Sequence, residues 1–208
     1  MKYIDLTQPI KKSMPVYPGD SAVSLEQDKF FEKDGYNNHR LATGMHMGTH
    51  IDGRMHMLNV SEYIGSLPIE HFCGLGCLIH TQDEKIIRMK SAYKDIIRDN
   101  EVVLFKTGMD RYYGEDKYYS DHPVLDMSVC EYLAESKVRL IGIDAPSPDH
   151  YPFTIHKALL QSNILIIENM TNLDKISSDD KFEVFSFPLR INADSSPVRA
   201  VARIINSY

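Results

Sequence analysis

From about residue 75 onward, the chain alternates apolar segments that predict strands with segments that predict helices. Strands are predicted at residues 75–81, 101–108, 138–144 and 164–168. Helices are predicted between them at residues 90–100, 128–136 and 154–162. The strands after the first are apolar on both faces, which is typical of a sheet covered on both sides. This order predicts parallel pairing through helical crossovers.

Two helix starts carry capping signals, and the two ends of the chain are rich in predicted strands. Ser128 with Glu131 forms a capping-box pattern, and Thr154 is the candidate N-cap of the following helix. Further strands are predicted at residues 2–6, 39–47, 182–191 and 197–205. We therefore predict an α/β fold with a mixed sheet, organised as a single domain over residues 1–208.

The composition excludes several classes of protein. The 208 residues are 43% apolar and 25% charged, which is ordinary for a globular protein. The net charge of −6 and the lack of a Lys/Arg run argue against a nucleic-acid partner. The sequence has neither an apolar run near the ~20 residues that span a membrane nor an apolar signal segment. The three cysteines, a small odd number, favour a reduced cytoplasmic location.

The segment HMGTHIDGRMHM concentrates side chains that bear chemistry. His46, His50, Asp52 and His56 all occupy even positions, so an extended chain would direct them to one face. On a helix, Asp52 would lie about 200° from His50, at ~100° per residue. A straight strand would separate His46 and His50 by about 13 Å, at ~3.3 Å per residue, so we expect a bend at Gly48.

Imidazole and carboxylate groups are ligands of zinc and similar divalent ions. Three protein ligands with an open position are typical of a catalytic metal site, whereas the alternative here is a solvated loop that happens to carry these residues. Further ligands would come from His156 and Glu168, because a carboxylate that ends an apolar strand is costly to bury without a cation. Taken alone, His156 is more commonly a helix N-terminal residue and Glu168 a solvated strand end.

Several segments together resemble one known family. HMGTHIDGRMH resembles the His-x-Gly-Thr-His-x-Asp-x-x-x-His motif of the metal-dependent cyclase family, which includes bacterial kynurenine formamidases. HKALLQSNILIIE resembles a second family segment, in which eleven residues separate a His from a Glu, here His156 and Glu168. VYPGD, GIDAPSPD and SPVRAVA also resemble family segments, so the resemblance covers nearly the whole chain.

This resemblance implies a site for two metal ions. His46, His50 and Asp52 would hold the first ion. Asp52 would bridge to the second ion, which His156 would also hold, and Glu168 would contact both. We expect zinc, two ions per chain, with manganese as the alternative, because sets of His, Asp and Glu accept both metals.

The resemblance also implies roles for residues that hold no metal. His56 would be the proton-transfer residue, and Tyr17 falls where the kynurenine formamidases have a substrate-facing Trp. Gly53 and Arg54 replace the small residue and the proline of the usual motif, and Arg54 would either bind a substrate carboxylate or face solvent. The implied fold is of the swivelling β/β/α type, assembled as a homodimer or homotetramer.

These residues predict a metal-dependent hydrolase of a small amide, such as the formamide N-formylkynurenine of tryptophan catabolism, that uses a metal-activated water. One alternative is a hydrolase of a cyclic amide or lactone at the same site, and another is a non-catalytic metal- or ligand-binding protein. A structural zinc module of His71, Cys73, Cys77 and His80 is a third, although Cys77 and His80 would lie on opposite faces of a strand.

The remaining histidines and one tyrosine-rich segment receive no catalytic role. His39, His122 and His150 are predicted at the surface or in loops, with His150 at most at the mouth of the pocket. Residues 110–120 are predicted to form an exposed loop that covers either the site or an interface.

Overall fold

A computed structural model of the chain describes residues 1–81, 83–97 and 101–205. Within these residues the chain forms thirteen strands and five α-helices, joined by loops and short 3-10 helices. The strands are β1 (Lys2–Asp5), β2 (Ser24–Lys29), β3 (Asn38–Ala42), β4 (His50–Asp52), β5 (Cys73–His80), β6 (Ile86–Ile87), β7 (Val102–Lys106), β8 (Val124–Leu125), β9 (Leu140–Ile143), β10 (Leu165–Glu168), β11 (Phe182–Phe185), β12 (Ser195–Pro197) and β13 (Val201–Ile204). The helices are α1 (Phe31–Asp34), α2 (Ser91–Ile97), α3 (Asp116–Ser120), α4 (Met127–Glu135) and α5 (Thr154–Gln161).

Nine of these strands form one mixed sheet, in the order β1-β13-β11-β5-β7-β9-β10-β4-β12. Its centre consists of β5, β7, β9 and β10, which run parallel and are connected through α2, α4 and α5. The predicted α/β fold with a mixed sheet and helical crossovers is therefore confirmed. The swivelling β/β/α designation and the single-domain organisation over residues 1–208 stay predictions.

A short strand from the first part of the chain is inserted near one edge of this sheet. β4 pairs antiparallel with β10 on one side and with β12 on the other. The register sets His50 opposite Glu168, and Asp52 opposite Ser195. Polar residues from three distant parts of the chain are thus brought next to one another.

The sheet separates two hydrophobic cores, because successive residues of a strand point to opposite faces. In β7, Val103 and Phe105 belong to the core that contains residues of α2, α4 and α5. Val102 and Leu104 belong to the second core, which also contains residues of β1, β11 and β13. The outer strands therefore curl around the second core, and the two-sided apolar pattern of β7 and β9 is explained.

Both predicted helix caps are wrong. The N-cap of α4 is Asp126, whose carboxylate accepts a hydrogen bond from the Ser128 amide at 3.1 Å. Helix α5 begins at Thr154 itself, after Phe153 at a φ of 60°. The carboxylate of Asp149 accepts from first-turn amides of α5 instead, and a carboxylate is favoured at this position because of the helix dipole.

Several predicted elements differ in extent from the observed ones. The strand predicted at 182–191 ends at Phe185, and of the strand predicted at 197–205 only Val201–Ile204 forms β13, while residue 197 ends β12. The strand predicted at 39–47 ends at Ala42, and residues 43–49 lead to β4 as an irregular segment with turns and bends at 45–49. The last three residues of the helix predicted at 90–100 lie outside the described part of the chain.

The tyrosine-rich segment 110–120 is exposed at most of its positions, as predicted, but it is not a loop throughout. It forms the 3-10 helix Met109–Tyr112 and α3, and the side chain of Tyr118 is fully buried. His122 is likewise buried rather than at the surface, with its ring centroid 4.0 Å from that of His150. Tyrosine and histidine rings have large apolar faces, so they can enter a core from a segment that is polar on average.

The described helices are short, and α4 has nine residues. Among the residues that the structure describes, no helix combines the length and the apolar character needed to cross a lipid bilayer.

Candidate metal centre

Gly48 turns the chain between His46 and His50. Its φ of 54° lies in the left-handed region that glycine adopts without strain, so the predicted bend is confirmed. Its carbonyl oxygen accepts a hydrogen bond from Nδ1 of His50 at 2.8 Å. The opposite nitrogen, Nε2, therefore faces two carboxylates, 3.5 Å from Oδ1 of Asp52 and 3.4 Å from Oε2 of Glu168.

Asp149 holds His156 at the start of α5. Its Oδ1 lies 2.6 Å from Nδ1 of His156, while its Oδ2 accepts from the Ile155 amide at 2.7 Å. Because Nδ1 is engaged, Nε2 of His156 is directed inward. It lies 3.1 Å from Oε1 of Glu168 and 3.7 Å from Oδ2 of Asp52.

Asp194, which directly precedes β12, holds the ring of His46 in the same way. Its Oδ2 lies 2.9 Å from Nε2 of His46, and Nδ1 of that ring is 3.0 Å from Oδ1 of Asp52. The same oxygen of Asp194 is 3.5 Å from Nδ1 of His56. One carboxylate thus contacts both histidines.

The imidazoles of His46, His50 and His156 share one arrangement. In each, one ring nitrogen meets an oxygen of a carboxylate or a backbone carbonyl, and the other nitrogen faces Asp52 or Glu168. An outer partner of this kind fixes the tautomer and directs the remaining lone pair toward a metal. The three rings are therefore prepared to ligate at one common place.

The donor atoms fit a divalent cation. Nε2 of His50 and Oδ2 of Asp52 are buried without a hydrogen-bond partner, which is costly unless a cation meets them. Among the described residues, two sets of three side chains offer donor atoms that lie within 4.8 Å of one another. The sets are His46, Asp52 and His56, and His50, Asp52 and Glu168. Asp52 belongs to both sets, as a bridging carboxylate would.

The centre favours positive charge. Burial alone would raise the pKa of Asp52 and of Glu168, but the neighbouring histidines hold both pKa values below their ordinary range. Burial would lower the pKa of His46, yet the carboxylates of Asp52 and Asp194 raise it to about 9. A bound cation would supply the positive charge that these buried carboxylates require.

His56 lies between this centre and the adjoining cavity. Its ring centroid is 4.2 Å from that of His46 and 6.0 Å from that of His156. Burial lowers the pKa of His56, and the Asp52 carboxylate offsets only part of that effect. Because one donor-atom set contains His56, the geometry alone is compatible both with metal ligation and with proton transfer.

A cavity of about 200 Å³ opens onto the centre. Its polar wall consists of His46, His50, His56, His156, Glu168, Asp20, Ser147 and Asn169. Its apolar and aromatic wall includes Val16, Tyr17, Met57, Tyr113, Tyr119 and Phe153. The rings of Tyr17 and Tyr119 meet edge to face at 6.0 Å. An apolar cavity with a few convergent polar groups is typical of a site for a small organic molecule.

Arg54 lies outside the lining of this cavity. Its Nη1 is 3.6 Å from Oε2 of Glu62, and both side chains are partly buried. Of the two alternatives for Arg54, the geometry therefore gives no support to contact with a substrate carboxylate.

Sequence reasoning missed Asp149 and Asp194. A carboxylate shortly before a helix that carries a candidate ligand is a signal that could have identified Asp149. Asp194 had no local signal, because it reaches His46 from 148 positions along the chain.

The alternative structural zinc module finds no support in the geometry. Cys77 is buried while His80 on the same strand is exposed, as the strand alternation predicted. Burial raises the pKa of the Cys77 thiol to about 12, which disfavours the thiolate that zinc binds. Within residues 1–81, 83–97 and 101–205, no set of three candidate ligands includes a cysteine.

Comparison with known proteins gives matches over nearly the whole chain. The model of the Cyclase family, described as Putative cyclase, matches residues 4–150. A kynurenine formamidase of Bacillus anthracis is 32% identical over 210 aligned residues, covering 98% of each chain. One of Bacillus thuringiensis (strain Al Hakam) is 31% identical with the same coverage.

Solved structures have the same fold. An isatin hydrolase bound to the product analogue thioisatinate has a TM-score of 0.86 at 20% identity, covering 99% of this chain and 93% of that one. A structure described as a potential metal-dependent hydrolase with cyclase activity has a TM-score of 0.76 at 25% identity, covering 97% and 96%.

Proposed function

The chain belongs to the Cyclase family, and from that premise we propose that it is a metal-dependent hydrolase of a small aryl amide, with N-formylkynurenine as the first candidate substrate. One observation carries this proposal. Three imidazoles, those of His46, His50 and His156, are each fixed by an oxygen at one nitrogen. The other nitrogen faces buried Asp52 in all three, and also Glu168 in His50 and His156. The relatives named kynurenine formamidase support the reaction class.

We assign the ligands as the family resemblance implies. His46, His50 and Asp52 would hold one ion, and Asp52 with His156 would hold a second. Glu168 would contact both, since its two oxygens face His50 and His156. The ions, which we expect to be zinc or alternatively manganese, would polarise the amide carbonyl and acidify a water molecule.

His56 is assigned the proton transfer. Its Nδ1 faces Asp194, so Nε2 is the nitrogen left to exchange a proton with water or with the leaving amine. Asp194 orients the ring and stabilises it while it carries the proton. The aromatic side chains of the cavity wall exclude bulk water from that exchange. They are Tyr17, Tyr119 and Phe153.

A cyclic amide such as isatin is the second candidate substrate. Among the cavity-lining residues of the described chain, none is Lys or Arg. N-formylkynurenine carries an amino-acid carboxylate that would lack a cationic partner there, whereas a neutral cyclic amide would not require one. The fold that the chain shares with isatin hydrolases is compatible with this candidate.

The proposal is tested by metal analysis and by a substrate panel. We expect stoichiometric zinc or manganese in the purified protein, and hydrolysis of N-formylkynurenine or isatin that chelation abolishes and the same ion restores. A simple aryl lactone distinguishes an esterase from an amidase. Protein without stoichiometric divalent metal, or inactive on every amide when loaded, would contradict the proposal.

Substitution of single histidines separates ligands from the proton-transfer residue. We expect His50→Ala to lose metal, and His56→Ala to retain it while kcat falls by about 10²–10⁴-fold. His39→Ala, at an exposed histidine, is the matched control and changes neither quantity. If His56→Ala loses as much metal as His50→Ala does, His56 is a metal ligand and the assigned role in proton transfer is wrong. Assembly as a homodimer or homotetramer and a cytoplasmic location stay predictions.

A further inference from the structure

Asn169 follows the candidate ligand Glu168 and is held at three points. Its backbone amide donates to the carbonyl oxygen of Ala145 at 2.9 Å, and its own carbonyl oxygen accepts from Oγ1 of Thr49 at 2.7 Å. Its side-chain Oδ1 accepts a hydrogen bond from the hydroxyl of Tyr118 at 2.8 Å. Tyr118 is fully buried, so the side-chain amide of Asn169 has a fixed orientation.

This orientation leaves one donor group free. Because Oδ1 is turned toward Tyr118, the Nδ2 amino group points the other way across the planar amide. Nδ2 has no acceptor among the described residues. It is also not sealed in the interior, because the fully enclosed polar atoms without a partner do not include it. Asn169 lines the cavity at the metal centre. Its N–H groups are therefore presented to whatever molecule occupies that cavity.

We propose that Nδ2 of Asn169 is a specificity-determining donor that binds a second carbonyl oxygen of the substrate, next to the scissile amide. The inference rests on the proposed function, in which the metal centre takes the scissile carbonyl and leaves this donor for another acceptor. The substrate class is then an aryl amide with a neighbouring carbonyl, either a 2-acylformanilide or a cyclic α-keto amide. A donor held in place rejects an analogue without the acceptor, because the polar group is then left unpaired.

The backbone at Asn169 dictates which substitutions are informative. Its φ of 55° is left-handed, a conformation that glycine, asparagine and aspartate tolerate but alanine does not. Asn169→Gly removes the amide without backbone strain. Asn169→Asp keeps an acceptor for Tyr118 but replaces the donor with a second acceptor.

The hydrolytic test compares 2-acetylformanilide with 2-ethylformanilide, which has the same shape without the oxygen. The measured quantity is the change in the ratio of their kcat/KM values upon mutation, so their different intrinsic reactivity cancels. We expect Asn169→Gly to lower the ratio about tenfold, because only the acetyl compound loses a hydrogen bond. Asn169→Asp lowers the ratio further. An equal loss for both compounds would overturn the proposal.

The hydroxyl of Tyr118 is assigned a positioning role, which has its own test. Without it, the Asn169 amide can rotate, so we expect Tyr118→Phe to lower the same ratio by a smaller factor than Asn169→Gly. The matched control is Tyr93→Phe, which removes the hydroxyl of another buried tyrosine outside the cavity lining. That hydroxyl donates a hydrogen bond to Glu84 at 2.9 Å. A ratio that falls equally in the control would remove the specific role of Tyr118.

A binding experiment separates failure of this inference from failure of the proposed function. Calorimetry on the metal-loaded protein compares 2-acetylaniline with 2-ethylaniline, neither of which can be hydrolysed. We expect tighter binding of the acetyl compound, and loss of that preference in Asn169→Gly. If no amide is hydrolysed but the preference behaves this way, the proposed function fails and the recognition by Asn169 stands. If neither the wild type nor Asn169→Gly binds the acetyl compound more tightly than the ethyl compound, the recognition by Asn169 is wrong, whether or not the protein hydrolyses amides.

Discussion

Asp149 accepts a hydrogen bond from His156 at Nδ1 across 2.6 Å and, with its other oxygen, caps the helix that carries this histidine. One carboxylate therefore sets both the tautomer of the imidazole and the start of α5. The position of a candidate ligand and the local stability of its helix are coupled through a residue that does not itself face the metal centre.

We predict that Asp149→Ala lowers metal affinity about 10–100-fold, because the His156 ring loses the partner that directs Nε2 inward. Loss of the cap also costs about 1 kcal/mol of unfolding free energy. Metal titration and urea unfolding of the metal-free protein measure the two effects separately. The control is Asp126→Ala, which removes the N-cap of α4 alone. A loss of affinity in the control as large as that in Asp149→Ala would contradict the prediction.

We predict that Gly48→Ala weakens metal binding by moving His46 and His50 apart. A residue with a Cβ at a φ of 54° costs about 1–2 kcal/mol, and the added carbon would approach Cε of Met14 to 2.8 Å. The flexible Met14 side chain can yield, so the backbone strain remains the main effect. Gly44→Ala is the control, because open space surrounds its Cβ position. Equal metal affinity in the two variants would show that the bend is dispensable.

We predict that Tyr17→Ala raises KM for an aryl amide about tenfold, while Tyr17→Trp retains most of the affinity. The physical reason is the loss of an aromatic wall whose edge-to-face partner is Tyr119, and such ring contacts contribute about 0.5–1.5 kcal/mol beyond burial. Steady-state kinetics on the metal-loaded protein measures the change. A fall in kcat with unchanged KM would assign Tyr17 to the chemistry instead of to substrate binding.

We predict that His122 makes the protein sensitive to acid. Burial and the adjacent His150 lower the pKa of His122 from 6.5 to about 4. The unfolded chain therefore binds the proton more tightly than the folded one, so stability falls as the pH decreases from about 6.5 to about 4. The loss is about 3 kcal/mol at ~1.4 kcal/mol per pH unit.

The variant His122→Asn, which keeps a donor for the carbonyl oxygen of Pro123, should flatten this dependence. Urea unfolding of metal-free wild type and variant at several pH values between 4 and 7.5 measures it. Parallel curves for the two proteins would show that other groups cause the loss of stability in acid.

The sequence predicted the parallel strands well, because burial on both faces leaves an uninterrupted apolar run such as that of β7. It could not predict β4 as a member of the sheet. His50–Asp52 is a three-residue strand whose partners, β10 and β12, come from the last part of the chain. Its pairing is determined by tertiary structure, which no local pattern records.

The candidate ligands were predicted, and the residues that orient them were not, for a related reason. A ligand set such as His46, His50 and Asp52 has a recognisable spacing. Asp149 and Asp194 have no such spacing, because each acts on a histidine that only the folded chain brings within reach. The predictions of the helix caps failed for a similar reason. Ser128 and Thr154 satisfied the local pattern, but the upstream carboxylates of Asp126 and Asp149 accept the hydrogen bonds of the helix amides.

The insertion of β4 between β10 and β12 also determines when the centre can form during synthesis. The histidines of the first motif leave the ribosome long before Glu168 and Asp194 exist, so a growing chain offers a metal ion only part of its ligands. Pairing across such a separation closes a large loop, which makes it a late and slow step of folding. We therefore expect a metal ion to bind after the sheet is complete, and a bound ion would then stabilise the folded protein in which β4 is paired.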